Sequence, residues 1–257
     1  MTATDSLLMA LSNLDALPGQ ETQVQQALQE IIDEPATKDA FGNLYFGEVK
    51  TKKKTIALYA HMDEVGFFVH RISDDGFVSF YPIGGWWGHV ILGQQVRATC
   101  RKNGAVLEGI VGTLPKTSHK MTEVVPISEM YIDFGAHSKA ELEEAGLQVW
   151  DMILPNTTAK KSFNQKKIIG KALDDRVACA VMAQVKNQVE TKNIEVIGVG
   201  TVQEEAGTRG SKVAAAHVDA DINIVIDVAN GKDTPKAAEV PNLSLIHISE
   251  PTRLRCI

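Results

Sequence analysis

Three separate stretches of the chain rise through a short apolar, β-branched run and stop on side chains that bind metals: TIALYAHMDE at 55–64, IEVIGVGTVQEE at 194–205 and DINIVIDVAN at 221–230. Runs this short and this evenly apolar read as strands buried on both faces, which is the habit of parallel sheets. Open α/β sheets place their ligand crevices just past the C-terminal strand ends. There the sequence puts His61 with Asp63, the adjacent Glu204 and Glu205, and Asp227. A further acid arrives by another route, since ALDDRVACAVMAQVKNQV has Asp174 and Asp175 at the mouth of an apolar-periodic helix. One imidazole and several carboxylates on one rim suggest a hydrolytic zinc or cobalt site.

Each of these residues also has a plainer reading. His61 and Asp63 could serve only as local hydrogen-bonding groups, Asp174 as a helix cap, and Asp227 as a strand end bonded to the following turn. Glu204 and Glu205 resist such a reading, because adjacent carboxylates repel unless a cation or a proton separates them. Two different tasks would resolve that conflict, one glutamate holding metal and the other moving a proton. In the functional reading His61 binds the metal and Asp63 orients its imidazole. Three apolar strands delivering ligand types to one rim, with an acid at a helix start, favour a metal site over coincidence.

The rest of the chain bounds the fold. With 257 residues and 44% apolar content it can bury a large core. Its net charge of -6 supplies no electrostatic reason for a nucleic-acid or membrane partner. Three widely spaced cysteines in no CxxC pattern indicate neither a disulfide framework nor a thiolate zinc site, and a reducing cytoplasm is expected. The first 34 residues lack a cationic leader and read as two helices around Pro18 and Gly19. Between 73 and 165 the texture changes to short strands separated by Gly, Asn, Asp and Pro. GFVSFYPI, QQVRATC, AVLEGIVGTL and EMYIDFGA are the expected strands there, with a turn at Asn103 and Gly104 and a short helix, KAELEEA, between a Ser138 cap and Gly146. This stretch reads as an inserted β-rich subdomain, and 1–72 with 166–241 as the flanking parts of one α/β domain. Its sheet is expected to be mixed, largely parallel and flanked by helices. Trp86 and Trp87 read as packing residues, and the five other histidines outside the tail carry no ligand spacing.

The motifs AHMDEVGF, GGW, YIDFGAHSK, GKALDDRVACAV, TVQEEAGTRGS and IDVA, spread over about residues 6–241, resemble the M42 metallopeptidases, the glutamyl-aminopeptidase-like enzymes. The resemblance implies a zinc-peptidase-like fold and two divalent ions, zinc or cobalt with manganese also possible. It implies His61, Asp174, Glu205 and Asp227 as ligands, Asp174 bridging, Glu204 as general base and Asp63 as the partner of His61. Two such ions stand roughly 3.5–4 Å apart and share an activated water. Short peptides as substrates and a homo-oligomer are implied as well, a tetrahedral dodecamer built through the insertion in the intact parent. A related two-metal deacylase or carboxypeptidase is the nearest alternative. The stretch 242–257 does not resemble the family, which continues into a Gly-Gly-Thr-Asp segment and a final His-Ser supplying the last ligand. His247 lies in an unrelated context, so an incomplete catalytic domain with a foreign tail and impaired activity is expected, and a catalytically silent metal-binding or assembly protein, lacking the last metal ligand, is the third reading.

Overall fold

The computed structural model describes residues 3–49, 51, 53–114 and 124–229; the stretch 242–257 lies outside the described residues. The helical spacing around Pro18 and Gly19 becomes α1 (Ala3–Ser12) and α2 (Thr22–Ile31), with Gly19 at φ 84° in the turn between them. Leu11, Val24 and Leu28 are fully buried, so both helices turn an apolar stripe onto the sheet. Next come β1 (Ala36–Lys38), β2 (Leu44–Phe46), β3 (Lys54–His61), β4 (Gly66–Ile72), β5 (Phe77–Ile83), the single turn α3 (Gly88–Ile91), β6 (Gln95–Thr99), β7 (Val106–Thr113) and β8 (Met130–Asp133). The chain continues through α4 (Lys139–Ala145), β9 (Met152–Pro155), β10 (Lys160–Lys161), β11 (Ile168–Ile169), α5 (Leu173–Gln188), β12 (Ile194–Thr201), α6 (Arg209–His217) and β13 (Ile222–Val225).

The main sheet has the order β1-β2-β12-β3-β13. Its three ligand-bearing strands are parallel, β3 pairing with β12 on one side and β13 on the other, whereas β2 joins β12 and β1 joins β2 antiparallel. The sheet is therefore mixed, between layers of helix. Alternate residues of β3 face opposite layers: Leu58 and Ala60 pack with α1, α2 and α5, while Ala57 and Tyr59 pack with α6. Gly198 and Gly200 of β12 have no side chain on the α5 side, where an added Cβ would lie 3.3 Å from Met182 and 2.8 Å from Met62. Gly198 thus lets α5 approach the sheet, and Gly200 leaves room for the Met62 side chain.

One strand departs from expectation. DINIVIDVAN reads as buried on both faces, but all four residues of β13 are exposed, Val225 at 73%. The reason is position: among the described residues β13 has a sheet neighbour on one side only.

The second unit is a closed barrel, β4-β5-β8-β7-β6-β9, filled by Phe67, Val69, Val78, Val96, Val111, Ile132 and Ile153. The strands expected at GFVSFYPI, QQVRATC, AVLEGIVGTL and EMYIDFGA are β5 to β8. Gly104, at φ 74°, bonds back to the Cys100 carbonyl between β6 and β7. Ser138 Oγ accepts the Glu141 amide, and Gly146, at φ 108°, closes α4. The barrel strands span 66–155, so the first precedes the expected insertion boundary at 73. β4 alternates too little to be told from the flanking α/β strands by pattern, and its pairing with β5 and β9 assigns it to the barrel. Trp86 packs as expected, stacked 4.6 Å from Phe67, but Trp87 is 73% exposed. Cys100 and Cys179 are buried free thiols. Among the described residues no helix is long and apolar enough to cross a membrane.

Candidate metal centre

Strand register alone brings the rim residues together. Thr201 of β12 sits opposite His61 of β3, so residues 62–64 and 202–205 leave the sheet side by side. Val225 of β13 sits opposite Tyr59, which puts Asp227, two residues on, level with His61. α5 opens at the same edge with Asp174 and Asp175 in non-helical conformation. His61 Nε2 lies 2.9 Å from Asp174 Oδ1. Donor atoms of His61, Asp174 and Glu205 fall within 4.8 Å of one another, as do those of His61, Asp175 and Asp227.

The expected ligands His61, Asp174, Glu205 and Asp227 are therefore neighbours, divided between two sets that share the imidazole. Asp175 is an addition that sequence reasoning missed. It is fully buried, its Oδ1 accepts the Ala178 amide and its Oδ2 accepts the His61 amide. The helix cap considered for Asp174 is thus made by Asp175, which leaves Asp174 facing His61. The doubled Asp at a helix mouth was the available signal. Glu204 belongs to neither donor set and stands beside them.

Asp63 does more than face the imidazole. His61 Nδ1 donates to the Asp63 main-chain carbonyl at 3.1 Å, while the carboxylate stands 3.6 Å away. That buried carboxylate accepts the Glu204 amide on Oδ1 at 2.9 Å and the Glu205 amide on Oδ2 at 3.0 Å. With Nδ1–H committed to a carbonyl, Nε2 is the ring nitrogen that faces the acids. Beneath the rim, Arg176 is fully buried and donates to the carbonyls of Leu11, Met62 and Asp63 and to Glu64 Oε1. Lys171 meets both oxygens of Glu64, at 2.7 and 3.0 Å, and stands 3.2 Å from Asp15.

Burial and mutual repulsion shift the titration of the acids at this rim. Burial, then the Asp174 charge, pushes Glu205 up to about 7. Burial, with Asp227 adding, lifts Asp175 to about 8. Glu204 is raised by burial, with further contributions from Asp63, Asp227 and Asp174. Burial pulls His61 down, but hydrogen bonds to Asp174 and Asp63 outweigh it and hold the imidazole at about 11. Protons thus stand in for positive charge among crowded carboxylates, and the imidazole-carboxylate donor set fits a divalent cation.

The sign of the pH dependence follows. These shifts favour protonated forms of His61 and Glu205 near pH 7, and ligation by either requires its proton to leave. Binding of Zn²⁺ or Co²⁺ at pH 7 is expected to release at least one proton per ion and to tighten as pH rises. Calorimetry in buffers of different protonation enthalpy measures the release, and buffer-independent heats would contradict it.

Residues 42–245 match the sequence profile of the family described as M42 glutamyl aminopeptidase. FrvX of Escherichia coli (strain K12) is 35% identical over 236 residues, covering 89% of this chain and 65% of that protein. Among solved structures, an aminopeptidase of the archaeon Desulfurococcus kamchatkensis superposes with a TM-score of 0.84 at 32% identity, over 92% of this chain and 66% of the other. The TET1 peptidase of Pyrococcus horikoshii, described as able to assemble into a tetrahedron or a large octahedral shell, superposes at 0.79 with 27% identity, over 88% and 68%. The chain thus spans about two thirds of the length of the proteins it matches.

Proposed function

Because the chain belongs to the M42 glutamyl aminopeptidase family, we propose that it is a metal-dependent aminopeptidase acting on short peptides. The observation that carries this reading is the donor set of His61, Asp174 and Glu205, with Asp227 and Asp175 grouped around the same imidazole and Glu204 outside both groups. In this reading His61, Asp174, Glu205 and Asp227 would hold two divalent cations, zinc or cobalt with manganese a third choice. When bound, such ions supply Lewis-acid polarisation and a water acidified toward neutral pH.

Glu204 accepts the proton of the attacking water and returns it to the departing amine. Its burial suits this role, because a carboxylate raised toward neutrality is a stronger base than an exposed one. Asp63 holds Glu204 and Glu205 through their main-chain amides, and Arg176 holds Met62 and Asp63 through their carbonyls. The carboxylate-rich rim suits the cationic amino end of a peptide. A homo-oligomer is part of the proposal, supported by the assembling TET1 relative. A reducing, cytoplasmic setting is supported by the free thiols of Cys100 and Cys179.

Digestion of a short peptide and of its N-acetylated form tests this reading. Release of the first residue from the free peptide alone is expected, abolished by a chelator and restored by Co²⁺ or Zn²⁺. Equal cleavage of the acetylated peptide would point to the deacylase reading, and release of the last residue to a carboxypeptidase.

A further inference from the structure

Four successive amides of the segment carrying Glu204 and Glu205 are each held by a buried side chain from the first quarter of the sequence. Asn43 Oδ1 accepts the Val202 amide at 3.1 Å, and Glu21 Oε1 accepts the Gln203 amide at 3.1 Å. The Glu204 and Glu205 amides go to Asp63, as described above. Asn43 is fully buried and Glu21 is 4% exposed.

Asn43 also closes the loop. Its Nδ2 donates to the Gly210 carbonyl at 3.0 Å, while its Oδ1 holds Val202, so one side chain bridges both ends of 202–210. Gly210 itself returns its amide to the Val202 carbonyl at 3.0 Å, and a Cβ there would sit 2.1 Å from that oxygen. Asp39 Oδ2 takes the second Nδ2 hydrogen of Asn43 at 2.8 Å, fixing the amide plane. Glu21 stands at the N-cap of α2 but makes no side-chain cap to that helix; its Oε1 instead takes Gly19 and Gln203. The backbone it holds is not one a chain adopts freely, since Gln203 has φ 55°.

We propose that Glu21 and Asn43 are positioning residues for the Glu204 and Glu205 pair, holding the main chain of 202–205 so that one carboxylate enters the donor set and the other stays outside it. The inference rests on the roles given to these two glutamates under the proposed function. Neither Glu21 nor Asn43 belongs to a donor set. Both act on the glutamates through backbone hydrogen bonds, as outer partners act on metal ligands elsewhere.

Two measurements on the chain test it, with Co²⁺ as the probe. Amide hydrogen exchange followed by NMR, without metal, should show 202–205 protected, and Glu21→Ala and Asn43→Ala should expose these amides at least 10-fold while the β12 amides stay protected. Calorimetric and visible-absorption titration should show Co²⁺ binding weakened roughly 10- to 100-fold in both variants. Glu21→Gln, which keeps the acceptor oxygen, should return both readouts to within about threefold of the parent. Should an alanine variant fail to fold, Asn43→Asp retains the Val202 acceptor and loses the Gly210 donor, and about a threefold or larger weakening is expected. Unprotected 202–205 amides in the parent, or unchanged Co²⁺ binding by a folded Glu21→Ala variant, would overturn the inference alone. A parent with protected amides that takes up no Co²⁺ would overturn the metal-centre reading, and the inference with it.

Discussion

Glu204→Gln is expected to leave metal uptake and KM unchanged and to lower kcat by roughly 10²- to 10⁴-fold, the usual contribution of a positioned proton acceptor. The substitution keeps the side-chain volume and the main-chain amide that Asp63 Oδ1 holds at 2.9 Å, so the loop should not move. Neither donor set includes Glu204, so elemental analysis should find the same metal content in the variant. What changes is proton affinity alone, because a carboxamide cannot accept the proton of water at neutral pH. Glu205→Gln makes the contrast, since it removes a charged donor and should weaken metal binding before it affects the chemical step. Activity of Glu204→Gln within about 10-fold of the parent would remove this residue as the base.

Arg176→Met is expected to cause the largest loss of stability, about 3–5 kcal/mol, with Tm falling by roughly 6–20 °C. The guanidinium is wholly buried and meets three carbonyls and Glu64. Removing it strips donors from the Leu11, Met62 and Asp63 carbonyls and leaves Glu64 with Lys171 as its remaining cationic partner among the described residues. Arg176→Lys should recover little, because an ammonium cannot reach all four acceptors from one place. The double variant Arg176→Met/Glu64→Gln should lose less than the sum of the single changes, since the two side chains contact each other and that contact is lost only once. A thermal melt of Arg176→Met within about 2 °C of the parent would contradict this account.

The motifs pointed to residues that the fold brings to one rim, because each lies close to a strand end. His61, Glu205 and Asp227 each lie at or within four residues of the end of a parallel strand, and Asp174 opens α5. Partners that make no pattern of their own were harder to read. Arg176 follows Asp174 and Asp175 in sequence with no pattern to mark it, and it is fully buried. Asp174 was the residue expected to cap the helix, yet Asp175 bonds the Ala178 amide. Asp63 was read as a partner for the imidazole, and its carboxylate bonds the amides of Glu204 and Glu205, about 140 residues away. The exposure of β13 and the place of β4 in the barrel depend on neighbours distant in sequence.

The sequence by itself determined the two N-terminal helices, the mixed α/β class, four strands of the β-rich stretch and the ligand-rich strand ends. Periodicity, turn residues and donor chemistry are carried within a few positions, and each apolar strand ends where its polar residues begin. Only the tertiary structure decided which acids share His61, which aspartate caps α5, and how the loop bearing Glu204 and Glu205 is held. Those outcomes depend on the register of β3 against β12 and on buried side chains whose bonds to a distant backbone have no period and no local signature.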